Sequence, residues 1–176
     1  QMLAGAVQTL HESRVVHRDI KADNIMVSRD FADLRLMDFN TAKRLVEGGA
    51  LTMTAISPFQ PPEVQLGFEP PSELSDIWSL GECFYFMLTG KMPRYVKKPS
   101  ASAASHYDFV ASTQLQLHSR FWEGMSESCK RVLRHCLSID KTKRAGLAQL
   151  LEKEWPSLPG PAERTMTSTP GPAERT

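Results

Sequence analysis

Charge of one sign is missing from this chain: 21 Lys and Arg stand against 20 Asp and Glu, a formal net charge of +1 over 176 residues. So even a balance leaves no field to steer the protein onto nucleic acid or an anionic membrane, and neither partner is expected. Cysteine is scarce as well. Cys83, Cys129 and Cys136 form no C-x-x-C pair, and each falls in an apolar helical pattern, which reads as reduced, buried and intracellular, with the cytoplasm as the expected compartment. The longest apolar run, Cys83 to Leu88, is far short of the roughly 20 residues a membrane span requires. The N-terminus lacks a basic-then-apolar leader, so neither secretion nor insertion is expected. His11, His106, His118 and His135 have no metal-ligand spacing with one another or with the cysteines.

What is present suits one soluble domain with a core: 41% hydrophobic and 23% charged residues. Leu3, Ala6, Val7 and Leu10 recur at helical spacing, so residues 1 to about 13 read as an amphipathic helix, already mid-helix at its start, as if inside a larger domain. Short apolar runs at Val15-Val16, Ile25 to Val27 and Leu34 to Met37 suit small strands flanking loops that carry chemistry. Periodicity disappears from Thr41 to Pro71, where Gly48-Gly49, Pro58, Pro61-Pro62 and Pro70-Pro71 forbid long regular elements and predict a functional loop. Ser75 is expected to cap a helix from Asp76 to Leu88, apolar nearly all round and therefore central, that stops at Thr89-Gly90. Residues 97 to 120 are weakly patterned. Ser126 caps a second helix with Cys129, Val132, Leu133, Cys136 and Leu137 on its apolar face, and Lys130, Arg131, Arg134, Lys141 and Lys143 read as a solvated face. Leu147, Leu150, Leu151 and Trp155 close the core, so the domain is expected to span 1–155. The remaining 156–176 repeat Pro-Gly-Pro-Ala-Glu-Arg-Thr at 159–165 and 170–176, a composition expected to stay disordered. The fold class is mainly α with short β-strands.

His17-Arg18-Asp19-Ile20-Lys21-Ala22-Asp23-Asn24 puts an acid, a cation and a carboxamide in one short loop, and Asp38-Phe39 follows. Phosphoryl transfer needs this inventory: a carboxylate to align an attacking hydroxyl and accept its proton, a cation to offset charge on the transferred group, and oxygen ligands for Mg²⁺. Asp19, Lys21, and the pair Asn24 and Asp38 fit these roles in turn.

At these residues the sequence resembles the protein kinase family, with its H-R-D-L-x-x-x-N loop and D-F-G. The resemblance continues through Pro61-Pro62-Glu63 (A-P-E), Asp76-Ile77-Trp78-Ser79-Leu80-Gly81 (D-x-W-S-x-G), and Cys136-Leu137-Ser138-Ile139-Asp140 with Arg144. It implies a protein-kinase-like fold, of which these residues form the large C-terminal lobe without the small N-terminal lobe. It also implies ATP and Mg²⁺ as cofactors, a protein as substrate, and Ser or Thr as acceptor, the last from Lys21. By resemblance Asp19 is the catalytic base, Lys21 contacts the γ-phosphate, Asn24 and Asp38 bind Mg²⁺, and Met26 is the floor under adenine. His17 and Phe39 belong to a hydrophobic stack anchored by Asp76, and Glu63 and Arg144 form a buried structural pair. Arg18 is the partner of a phosphate in the activation segment, with Thr52, Thr54 and Ser57 as candidate acceptors and Lys43 and Arg44 as helpers.

Three departures from the family carry expectations of their own. Asn40 stands where D-F-G has its last Gly, a position that favours φ > 0, and Asn is the next most tolerant residue. Ile56 replaces a Thr whose hydroxyl bridges the catalytic Asp and Lys, which predicts looser positioning of Asp19 and Lys21. The sequence holds no G-x-G-x-x-G loop and no V-A-I-K lysine. ATP would then meet half a pocket, and little turnover is expected from the chain alone. The alternatives are a non-catalytic, pseudokinase-like interaction module, or an incomplete chain of a working enzyme.

Overall fold

The computed structural model describes residues 1–46, 52, 54, 57–97, 113–116, 119–144 and 146–154, of which 94–97, 113–116, 119–121 and 153–154 are described by backbone alone. The tail at 156–176, Trp155, Gly48-Gly49, Ile56, His106 and His118 lie outside the described residues.

Helix α1 (Met2–Glu12) turns Leu3, Ala4 and Val7 inward, as its spacing predicts. After it come two nested antiparallel ladders. The outer one pairs β1 (Val15–Val16) with β4 (Lys43–Arg44), Val15 opposite Arg44. The inner one pairs β2 (Ile25–Val27) with β3 (Leu34–Leu36), Ile25 opposite Leu36. Both candidate loops, 17–24 and 37–41, therefore run between the ladders, and the short β4 is regular structure where the sequence showed none.

The Pro-rich segment ends in one helical turn, α2 (Pro62–Gln65), started by a proline whose missing N–H costs nothing there. Helix α3 (Glu73–Thr89) begins earlier than its sequence suggests. Ser72, not Ser75, is the N-cap, and the Ser75 hydroxyl closes a capping box by accepting from the Ser72 N–H at 3.0 Å. Serine at both positions hides which one caps. Gly90 ends the helix at φ 66°, a left-handed position glycine adopts without strain. The helix is central along Ser75–Cys83, but Phe86, Met87 and Leu88 are exposed, Met87 by 64%, so it is not buried all round.

A third ladder, β5 (Arg94–Lys97) with β6 (Thr113–Gln116), and then α4 (Ser119–Gly124) overlap the region 97–120, weakly patterned in sequence. Polar residues bound β5 and interrupt β6, so neither shows as an apolar run in the sequence. The Ser126 hydroxyl caps α5 (Glu127–Cys136) by accepting from the Cys129 N–H at 3.3 Å. Val132, Leu133 and Cys136 are buried on its inner face, whereas Cys129 is only half-buried. Lys130 and Arg134 lean on the Trp122 ring, so the basic face is partly packed. Helix α6 (Leu147–Gln149) runs into a π-helical turn, Leu150–Glu154.

Trp78, Tyr85, Leu80, Leu133, Leu137 and Leu150 form the centre of the core. Helices α3 and α5 approach closely there: a Cβ on Gly81 would lie 2.5 Å from Cys136 Cβ and 3.0 Å from Leu137 Cδ2. Among the described residues, no helix is long and apolar enough to cross a membrane.

Candidate active site

The loop after β1 is fastened to the central helix by one carboxylate. Asp76, 1% exposed in the first turn of α3, accepts from the His17 N–H at 2.8 Å and the Arg18 N–H at 2.9 Å. His11 Nε2 donates to the same group at 3.0 Å. Three donors leave this buried charge well satisfied. The spacing of His11 gave no hint of this role, because its partner lies on a different helix.

His17 is fully buried, and its Nε2 lies 3.1 Å from the Met37 carbonyl. A carbonyl only accepts, so Nε2 carries the proton, leaving Nδ1 to accept from the Asp19 N–H at 3.4 Å. Its ring meets Phe39 edge-on, with centroids 4.8 Å apart. His17 thus contacts both Phe39, through its ring, and Asp76, through its backbone N–H.

Arg18 has φ 70°, a conformation costing a non-glycine residue roughly 1–2 kcal/mol. Its Nε donates to the Thr41 carbonyl at 2.5 Å, and Nη1 to the Thr52 carbonyl at 3.1 Å and hydroxyl at 3.4 Å. Burial pushes its guanidinium below the usual arginine range, and the charge of Asp76 opposes the shift. Thr52 is exposed. Thr54 is half-buried and its hydroxyl accepts from Gln60 Nε2 at 3.0 Å, while Ser57 is buried. Lys43 and Arg44, expected as helpers, are held in the outer ladder by their backbones.

Asp19, Lys21 and Asn24 converge. Lys21 Nζ donates to Asp19 Oδ2 at 2.7 Å; Asn24 Nδ2 donates to that oxygen at 3.1 Å and to the Asp19 carbonyl at 2.8 Å. Among the described residues nothing bonds Asp19 Oδ1. The bond it donates to Asp19, set against partial burial and joined by the charges of Asp19, Asp38 and Asp23, holds the Lys21 ammonium above the usual lysine range.

The inner ladder aligns the second loop. The Met37 N–H donates to the Asn24 carbonyl at 2.8 Å, so Asp38 follows directly on the residue facing Asn24. The left-handed residue of this turn is Asp38, φ 60°, and not Asn40. Position 40 therefore has no need of glycine's freedom here. Instead the Asn40 N–H donates to Asp38 Oδ1 at 3.3 Å. Asn24 and Asp38 offer hard oxygen donors of the kind Mg²⁺ takes. Among the described residues no three His, Cys, Asp or Glu converge as a metal cage. Met26 is 54% exposed on β2, with Val27, Met37 and Phe39 also exposed nearby, leaving apolar surface beside the loops.

Arg144 donates to Glu63 twice, Nη1 to Oε1 at 2.6 Å and Nη2 to Oε2 at 2.9 Å, with both side chains buried. Arg144 also donates to the carbonyls of Ser138 and Leu74 and lies 4.8 Å over the Trp78 ring.

A family model described as "Protein kinase domain" matches residues 1–156. Among curated proteins, the chain is similar to serine/threonine-protein kinase 33 of Mus musculus, 29% identical over 167 residues covering 88% of this chain and 33% of that one. It is 32% identical over 157 residues to calcium/calmodulin-dependent protein kinase type 1B of Rattus norvegicus (87% and 44%). It is 29% identical over 152 residues to MAP kinase-activated protein kinase 2 of Homo sapiens (85% and 38%). The chain spans less than half the length of these relatives.

Proposed function

The chain belongs to the protein kinase family, and we propose that it serves ATP-dependent phosphoryl transfer to Ser or Thr of a protein substrate, within a longer protein that covers the nucleotide. The observation that carries this reading is the Asp19 carboxylate, with one oxygen held by Lys21 and Asn24 and the other without a partner among the described residues. In this arrangement Asp19 aligns an acceptor hydroxyl and takes its proton on Oδ1. Lys21, kept charged by its carboxylate neighbours, offsets charge on the transferred phosphoryl group. Asn24 and Asp38 would hold Mg²⁺, which when bound neutralises phosphate charge. The exposed apolar surface at Met26, Val27, Met37 and Phe39 suits an adenine ring and a covering lobe. Thr52, exposed and within reach of Arg18, is favoured over Thr54 as the regulatory phosphate acceptor.

A non-catalytic interaction module is the second reading, motivated by Ile56, whose side chain cannot donate the hydrogen bond a threonine there would supply. Mg²⁺-dependent ATP binding and transfer to a basic protein substrate, measured on this chain and on the longer protein, separate the two. Asp19→Asn should lower kcat by roughly 10²–10⁴-fold. Equal rates in the variant would remove Asp19 as the base, and a folded protein that binds no ATP would establish the module.

A further inference from the structure

A left-handed arginine persists only where its surroundings fix it. The N–H of Arg18 is fixed by Asp76 at 2.9 Å. Its carbonyl belongs to the peptide unit that leads into Asp19, and the group facing it is the side-chain amide of Gln60, with Nε2 at 3.4 Å. That amide is fully used. Nε2 also donates to the Thr54 hydroxyl at 3.0 Å, and Oε1 accepts from the Ser57 N–H at 3.0 Å. Because the Ser57 N–H requires an acceptor, the oxygen must point there and the NH₂ group toward Arg18 and Thr54.

Gln60 is 3% exposed and firmly seated. Its N–H donates to the Ser57 carbonyl at 3.0 Å, and its carbonyl accepts from Gln65 Nε2 at 2.5 Å. The neighbouring Phe59 carbonyl accepts from the Ser79 hydroxyl of α3 at 2.7 Å. Asp76 and Ser79 thus carry the catalytic loop and the 57–60 segment on one helix, and Gln60 closes the circuit between them.

We propose that Gln60 is a positioning residue for Asp19: it holds the Arg18–Asp19 peptide in its strained conformation and ties that peptide to Thr54 and Ser57. The proposal rests on the reading of Asp19 as the base. Only a carboxamide supplies two donors and an acceptor at these points. Leucine would remove the Gln60 bonds to all three polar groups, and glutamate would keep the acceptor for Ser57 but lose both donors.

Amide hydrogen exchange on the folded chain tests the clamp, alongside thermal unfolding. In Gln60→Leu, exchange at Asp19, Ile20 and Ser57 should rise about tenfold while α1 and α5 are unchanged. In Gln60→Glu, Ser57 should stay protected while Asp19 and Ile20 lose protection, which decides the matter if the leucine variant does not fold. In the longer protein the same variants should lower kcat about tenfold and leave the KM for ATP unaltered, a split that general loosening would not produce. Unchanged exchange at Asp19 and Ile20 in folded Gln60→Glu overturns the proposal. Exchange needs no turnover, so an inactive parent protein would count against the kinase reading and not against the clamp.

Discussion

Cys83 and Cys136 show how strongly position governs single residues here. Burial pushes both thiols up to about 12, assisted at Cys83 by Glu82 and opposed at Cys136 by Arg144. A thiol whose folded pKa exceeds its unfolded value of 9.0 stabilises the fold below that pH, and the contribution is lost as pH rises toward 12. The unfolding midpoint should therefore fall above pH 9, and at pH 8 iodoacetamide should modify the half-buried Cys129 ahead of the other two, with all three reacting after unfolding. Mass spectrometry reads the order, and early labelling of Cys136 would contradict the buried α3–α5 seam. The residues legible from sequence, Asp19, Lys21 and Asn24, are neighbours in one loop. Gln60 and His11 were not, because their partners stand 42 and 65 positions away.

At the scale of elements, the α3–α5 contact depends on the missing side chain of Gly81. Gly81→Ala would set a methyl 2.5 Å from Cys136 Cβ, an atom fixed to its backbone, so the helices must part. Overpacking of this kind costs about 1–3 kcal/mol, and the urea midpoint should drop accordingly with its slope retained. An unchanged midpoint would mean that the two helices slide at no cost. The sequence showed α1 and α5 by their apolar spacing, and β1, β2 and β3 as short apolar runs, but not β4. It set the start of α3 too late because two serines compete for the cap, and it missed β5 and β6 because polar residues bound the one and interrupt the other. Asn40 was read through a family glycine, whereas the local backbone puts its left-handed residue at Asp38.

Across the whole molecule, Arg144 joins α2 through Glu63, α3 through the Leu74 carbonyl and Trp78, and the end of α5 through the Ser138 carbonyl. Removing one partner, as in Glu63→Ala, leaves a buried guanidinium uncompensated and should destabilise the fold by about 3–5 kcal/mol. Replacing both with apolar residues, Glu63→Leu with Arg144→Met, should recover most of that loss in a double-mutant cycle. A double variant as unstable as the sum of the singles would show that the charges themselves are required. The pair was legible through family motifs and not from local pattern, since 81 residues separate its members. The nested ladders have a thermodynamic consequence. Each candidate loop starts and ends on a paired strand, so its conformational freedom is surrendered when the chain folds and not when a ligand arrives. Phosphate and metal would meet groups already in place, and their affinity would be spared the entropy of ordering them.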